Sequence, residues 1–99
     1  MHIISRKKLL EAATRFRDAD VQLDAWYRTA KTARWNSLAE VRRVYSHADG
    51  VKVGGVVYTV FNICGNKYRL IAEIFYKDQT ILIRHILTHA EYDQEDWKK

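Results

Sequence analysis

Along this chain the spacing of apolar residues changes from a helical period to an alternation. In the first half they recur every three or four positions. Leu9, Leu10, Ala13 and Phe16 mark one helix face, with Ser5 placed ahead of it as an N-cap. Ala19, Leu23, Trp26, Ala30 and Ala33 mark the stripe of a second helix over 20–33, whose Arg28, Lys31 and Arg34 then point outward. Ser37-Leu38-Ala39-Glu40 has the form of a capping box and opens a short third helix with Leu38, Val41 and Tyr45 inward. His2-Ile3-Ile4 reads as a short extended start, and Asp49-Gly50 and Gly54-Gly55 read as turns or loops.

From Val56 the period is two. Residues 56–63, 67–76 and 80–87 are rich in β-branched and aromatic side chains, as strands are. Gly65-Asn66 suits a two-residue hairpin turn, and Asp78-Gln79 is the candidate for the next one. Thr88-His89-Ala90-Glu91 is a second capping box and starts a short final helix. The pattern predicts one α+β domain over residues 1–99: N-terminal helices packed on a small antiparallel meander, then a short C-terminal helix.

If both turns hold two residues, the register follows. Asn62 faces Arg69 and Tyr58 faces Glu73; Glu73 in turn faces Arg84, Ile71 faces Ile86, and Arg69 faces Thr88. One sheet face then carries Tyr58, Asn62, Arg69, Glu73 and Arg84 around Val60, Ile71 and Ile86. The other, beneath the helices, carries Phe61, Ile63, Leu70, Ala72, Ile74, Ile83 and Leu87, with His85 as its polar exception. A slip of one residue in either turn exchanges the faces. Arginines on a central strand serve either as a solvated face, with Glu73 as a salt-bridge partner, or as an anion site whose guanidiniums grip phosphate.

Charge turns attention to polyanions. Seventeen Lys and Arg against twelve Asp and Glu give a net charge of +5, which favours nucleic acid or an acidic protein as partner. The single Cys64 forms no internal disulfide and fits a reducing compartment, and it has no adjacent base to make it a nucleophile. Residues 1–5 are interrupted by Arg6-Lys7-Lys8 too early for a signal peptide, and no apolar run is long enough to span a membrane, so a cytoplasmic location is expected. His2, His47, His85 and His89 lack metal-ligand spacing, and no nucleotide-binding loop is present; neither a metal nor a cofactor is implied.

Two stretches carry a family resemblance: Phe61-Asn62-Ile63-Cys64-Gly65-Asn66-Lys67-Tyr68-Arg69-Leu70-Ile71, and Ile83-Arg84-His85-Ile86-Leu87-Thr88-His89-Ala90-Glu91-Tyr92-Asp93. With looser matches at Trp35-Asn36-Ser37 and around Asp49, the chain resembles the HigB toxins of type II toxin–antitoxin systems, within the RelE-like group. It departs from that pattern at Cys64, where the family usually has Gly, and at Ser46-His47, where a Pro-containing loop is common. The resemblance implies a RelE-like fold, a metal-independent endoribonuclease (mRNA interferase) that cuts translated mRNA in the 16S rRNA-lined A site of the ribosome, and a helix-turn-helix antitoxin of HigA type as partner.

A nuclease of that kind uses the 2′-OH of its own substrate to attack the adjacent phosphorus, leaving a 2′,3′-cyclic phosphate. It needs a base, cations for the phosphorane and an acid for the 5′-oxygen. Arg69 and Arg84 are the candidate cations. His89 is the candidate acid or base, because histidine is the residue type whose unperturbed pKa lies nearest neutrality, and Tyr92 one helical turn later either stacks on a nucleobase or donates a proton. Lys67, Asn62, Arg42 and Arg43 are the candidate RNA contacts, although Lys67 reaches the arginine face only if the strand end twists. Two other readings of the same residues stay open: a non-catalytic RNA-binding module, and a protein-interaction domain that docks an acidic partner.

Overall fold

A computed structural model describes residues 1–99. Strand β1 (His2–Ile4) leads into helix α1 (Arg6–Arg15), a 3-10 turn (Arg17–Ala19), α2 (Asp20–Thr32) and α3 (Leu38–Val44). Four strands follow, β2 (Asp49–Val53), β3 (Val56–Ile63), β4 (Tyr68–Phe75) and β5 (Thr80–Thr88), then α4 (His89–Asp93) and a last 3-10 turn (Asp96–Lys98). The five-stranded sheet has the order β1-β5-β4-β3-β2. Strands β3 to β5 form the expected antiparallel meander; β2 extends it as an unexpected antiparallel edge strand beside β3, and β1 adds a parallel edge strand beside β5. The α+β architecture is as read. The Asp49-Gly50 turn is not, because both residues belong to β2, whose hairpin to β3 turns at Gly54-Gly55.

The helices bury their stripes against one sheet face. Leu9, Ala12, Phe16, Ala19, Leu23, Trp26 and Ala30 meet Phe61, Ile63, Leu70, Ala72, Ile81 and Ile83 in one cluster. In α1 the buried face is turned from the expected one: Ala12 is inside, whereas Leu10 is 58% exposed beside the shallow hollow between α1 and α2. Ser5 occupies the N-cap position, but at φ 72° its hydroxyl makes no capping bond and only its carbonyl accepts, from Lys8 N. Capping through the side chain needs an extended N-cap. Ser37 and Thr88 have that conformation. Ser37 accepts from Glu40 N, half of its box, and Thr88 and Glu91 complete both bonds of theirs.

The β3–β4 hairpin keeps the expected register, Asn62 opposite Arg69. The β4–β5 hairpin does not. Its closing pair is Phe75 and Thr80, so residues 76–79 form the loop, with Gln79 at φ 51° and its Nε2 donating to Trp35 O at 2.6 Å. Glu73 therefore faces Leu82 rather than Arg84. A β-bulge then inserts Arg84 opposite the Ile71/Ala72 step. Beyond it Ile71 faces His85 and Arg69 faces Leu87, not Ile86 and Thr88. The slip exchanges faces at the end of β5: Ile86 packs on the helix-side core, while His85 and Leu87 share a hollow with Trp97 on the other side.

Candidate active site

The outer sheet face is roofed by the C-terminal segment. Trp97 stacks on Tyr92 (centroids 5.4 Å, interplanar angle 14°) and meets Tyr58 of β3 edge-on at 5.8 Å, while its indole N–H donates to Tyr92 O. Beneath this roof Val60 and Ile71 are buried, and so is Arg69, only 8% exposed. A buried cation needs partners. Arg69 Nη1 donates to Asn66 O and Tyr68 O at 3.1 Å each, and Nη2 donates to Asn66 Oδ1 at 2.5 Å. The Tyr92 ring lies over the guanidinium with 5.7 Å from Cζ to centroid. No carboxylate pairs with Arg69, so no side chain of opposite charge neutralises it directly. Burial is the main cause raising the Tyr92 phenol above its ordinary pKa, with Asp49 adding to it and Lys98 and Arg69 opposing. Tyr92 is a proton holder at neutral pH.

Arg84 lies farther along the same face. Its bulged position has Nε 3.6 Å from Glu73 Oε1, and its carbonyl accepts from Lys8 Nζ at 2.8 Å. His85, next in sequence, is half-buried; burial first, then Lys8 and Arg84, hold its pKa below the ordinary histidine value. The structure thus joins Arg84 to Lys8 and His85, and Arg69 to Tyr92 and Asn66.

His89 opens α4, with its backbone N–H on Lys67 O at 3.0 Å and its Nε2 3.2 Å from Asp93 Oδ2 one turn on. Its side chain is 45% exposed. Because Tyr92 sits on the same short helix, His89, Asp93 and the Tyr92–Arg69 pair are held together at the β5–α4 junction. Asn62, opposite Arg69, completes that end of the face.

The other candidate RNA contacts lie elsewhere. Lys67 turns to the helix side and pairs with Asp18, which also accepts from Tyr68 Oη at 2.6 Å; no strand-end twist brings its ammonium to Arg69. Its main chain, through the bond to His89, is what serves the junction. Arg42 Nε donates to Ala48 O and its Nη2 approaches Asp49 at 3.6 Å, while Arg43 is exposed on α3. Asp93, Asn66, Trp97, Lys8 and His85 were not among the site residues expected from sequence. The i,i+4 spacing of His89 and Asp93 on a helix is the one signal that was available.

Nowhere in the fold do three His, Cys, Asp or Glu side chains gather as metal ligands would, and no helix is long and apolar enough to cross a membrane. Residues 19–95 match the HigB_toxin family, described as the RelE-like toxic component of a toxin-antitoxin system. The chain is 32% identical over 93 residues to the mRNA interferase toxin HigB of Escherichia coli K12, covering 94% of this chain and 88% of that protein. The mRNA interferase HigB of Shigella flexneri matches with the same identity and coverage. That of Escherichia coli O6:H1 is 32% identical over 94 residues, 95% of this chain and 90% of its own.

Proposed function

The chain belongs to the HigB family of RelE-like toxins, and we propose that it is an mRNA endoribonuclease whose site is the β4–β5–α4 junction. The observation that carries this reading is the Arg69 guanidinium, unpaired with any carboxylate, set under Tyr92 on the helix that also bears His89 and Asp93. A solvated surface arginine has no need of such a seat. The non-catalytic alternatives account for the positive charge but give no role to an imidazole–carboxylate pair beside it.

The chemistry uses the substrate's own 2′-OH. With Nε2 held toward Asp93, His89 presents Nδ1 to take the 2′-OH proton. The 2′-oxygen then bonds to phosphorus, and the phosphorane's negative charge falls to Arg69, with Arg84 as the second cation. As the bond from phosphorus to O5′ breaks, the Tyr92 phenol, protonated at neutral pH, gives its proton to the leaving oxygen. The products are a 2′,3′-cyclic phosphate and a 5′-hydroxyl. The proton gained by His89 restores Tyr92 through solvent, so no net proton is consumed. Asn62 orients the ribose, and Arg42 and Arg43 of α3 meet phosphates of a larger RNA by charge.

By the family's resemblance the mRNA is cut in the 16S rRNA-lined A site of a translating ribosome, in the cytoplasm, and an antitoxin of HigA type restrains the enzyme. The test maps cleavage on a transcript with and without translation and reads the 3′ ends. Cyclic phosphate ends, insensitivity to a strong chelator, and loss of cutting in Arg69→Ala and His89→Gln are expected. Unchanged cleavage in both variants would remove the site.

A further inference from the structure

We propose that the cleft between α1 and the free edge of β5 is a second phosphate subsite, in which Lys8, Arg84 and His85 hold the RNA phosphodiester next to the one being cut. The proposal rests on the nuclease reading for the identity of its ligand. Its geometry stands separately.

Strand β1 covers the edge of β5 only as far as Leu82, opposite Ile4. Past that point α1 runs along the edge and leaves a cavity of about 310 Å³, lined by Lys8, Glu11, Arg15, Arg84 and His85 among others. A water takes about 30 Å³ of liquid, so a hydrated phosphate group fits. The cations are not equally free. Arg15 is paired with Glu91 at 3.1 Å, and Arg84 has Glu73 at 3.6 Å. Lys8 has no carboxylate. Its ammonium is fixed by the Arg84 carbonyl, which belongs to the bulge and lies past the last β5 residue that β1 covers. The same bulge turns His85 out of the helix-side core. The end of β1 and the bulge in β5 together bring Lys8, Arg84 and His85 to the cleft.

The groups facing His85 are Lys8, Glu11 and Arg15 of α1, Arg84 of its own strand, and Glu91 and Asp96 of the C-terminal segment. Both segment carboxylates have cationic partners, Arg15 and Lys99. The imidazole meets a positive surrounding, consistent with its lowered pKa. An anion in the cleft reverses that field, so binding takes up a proton and tightens as pH falls toward the free-state pKa of His85. RNA is the favoured source because Arg84 belongs to both cleft and catalytic face, and a phosphate beside Arg69 has covalent neighbours on each side.

The experiment follows the His85 ring by NMR between about pH 5 and 8 in the full chain, alone and with an oligonucleotide bearing a 2′-deoxy sugar at the scissile position. The His85 pKa is expected to rise by about one unit on binding. Lys8→Gln is expected to weaken binding about five- to tenfold at low salt and to reduce the salt slope by about 0.7, and Lys8→Arg is expected to restore both. A His85 titration indifferent to the oligonucleotide, or moved only by an acidic antitoxin peptide, overturns the proposal, as does an unaltered salt slope in Lys8→Gln. If the wild type cuts no RNA, the nuclease reading fails instead, and the NMR titration still reports on the cleft.

Discussion

The Tyr92 ring covers the Arg69 guanidinium at 5.7 Å, linking the C-terminal helix to the central strand by a cation–π contact. The pair divides its labour between ring and hydroxyl. Tyr92→Phe keeps the contact and removes the phenol proton, so thermal stability should hold while the cleavage rate drops about 10²-fold. Tyr92→Ala removes both and should also cost about 1–2 kcal/mol in denaturant unfolding. A Phe variant cutting at the wild-type rate would leave Tyr92 a packing residue.

Arg69 should show opposite signs in function and stability. It is buried without an anion, and its bonds go to neutral oxygens of Asn66 and Tyr68. A flat apolar replacement such as Arg69→Met removes a desolvated charge, so stability should change by no more than about 1 kcal/mol, in either direction. Cleavage should fall at least about 10²-fold, because the phosphorane loses its seated cation. Arg69→Lys should not recover it, since a single ammonium cannot span the Asn66 carbonyl and amide oxygens as the guanidinium fork does. Calorimetry beside single-turnover kinetics separates the two effects.

The chain's periodicity revealed the helices, three of the strands and both ends of the β3–β4 hairpin, because each rests on local chemistry. What it concealed depends on tertiary partners. Gly50 reads as a turn residue, yet it lies in β2 where an added Cβ would come to 3.2 Å from Leu38 Cδ2; the missing side chain lets α3 approach the sheet. The β4–β5 hairpin's register rests on the four-residue loop and on Gln79 reaching the Trp35 carbonyl, neither of which alternation records. That longer loop shifts the pairing by two residues and changes no face, so Arg69 and Glu73 were placed correctly; the bulge at Arg84 is what turns His85, Ile86 and Leu87 to the faces opposite to those read from alternation. His89 and Tyr92 were legible from the motif, which ends at Asp93. Trp97, the residue that roofs the site, lies past it.

That roof makes Trp97 a competitor for the substrate. Its indole already occupies a face of Tyr92, the surface on which an RNA base would stack. Trp97→Ala should lower the RNA concentration for half-maximal cleavage several-fold at unchanged kcat, since a base–aromatic stack is worth about 1–3 kcal/mol and no longer has to displace the indole. The same variant should lose about 1 kcal/mol of stability with the Tyr92 and Tyr58 contacts. A higher KM would mean that Trp97 itself stacks on RNA, and the competition would be ruled out.

Acid should loosen the hairpin that carries Arg69 before it reaches the arginine. Asp18, on the turn after α1, accepts from Lys67 and from Tyr68 Oη and so ties the 3-10 turn to the start of β4. The Lys67 hydrogen bond is the largest cause holding the Asp18 carboxyl below its ordinary pKa, followed by that of Tyr68. A carboxylate depressed in the folded state contributes stability that is fully present above its unfolded pKa, about 3.9, and is lost as pH falls through the lower folded value. Glu91, lowered by the Thr88 backbone bond and by Arg15, acts in the same direction at α4. Unfolding free energy measured against pH should therefore be flat on the neutral side and decline below about pH 4, and Asp18→Asn should make that decline shallower. The variant leaves Lys67 without its carboxylate, so its neutral plateau should also lie lower. An acid limb of unchanged steepness in Asp18→Asn would remove Asp18 as its source.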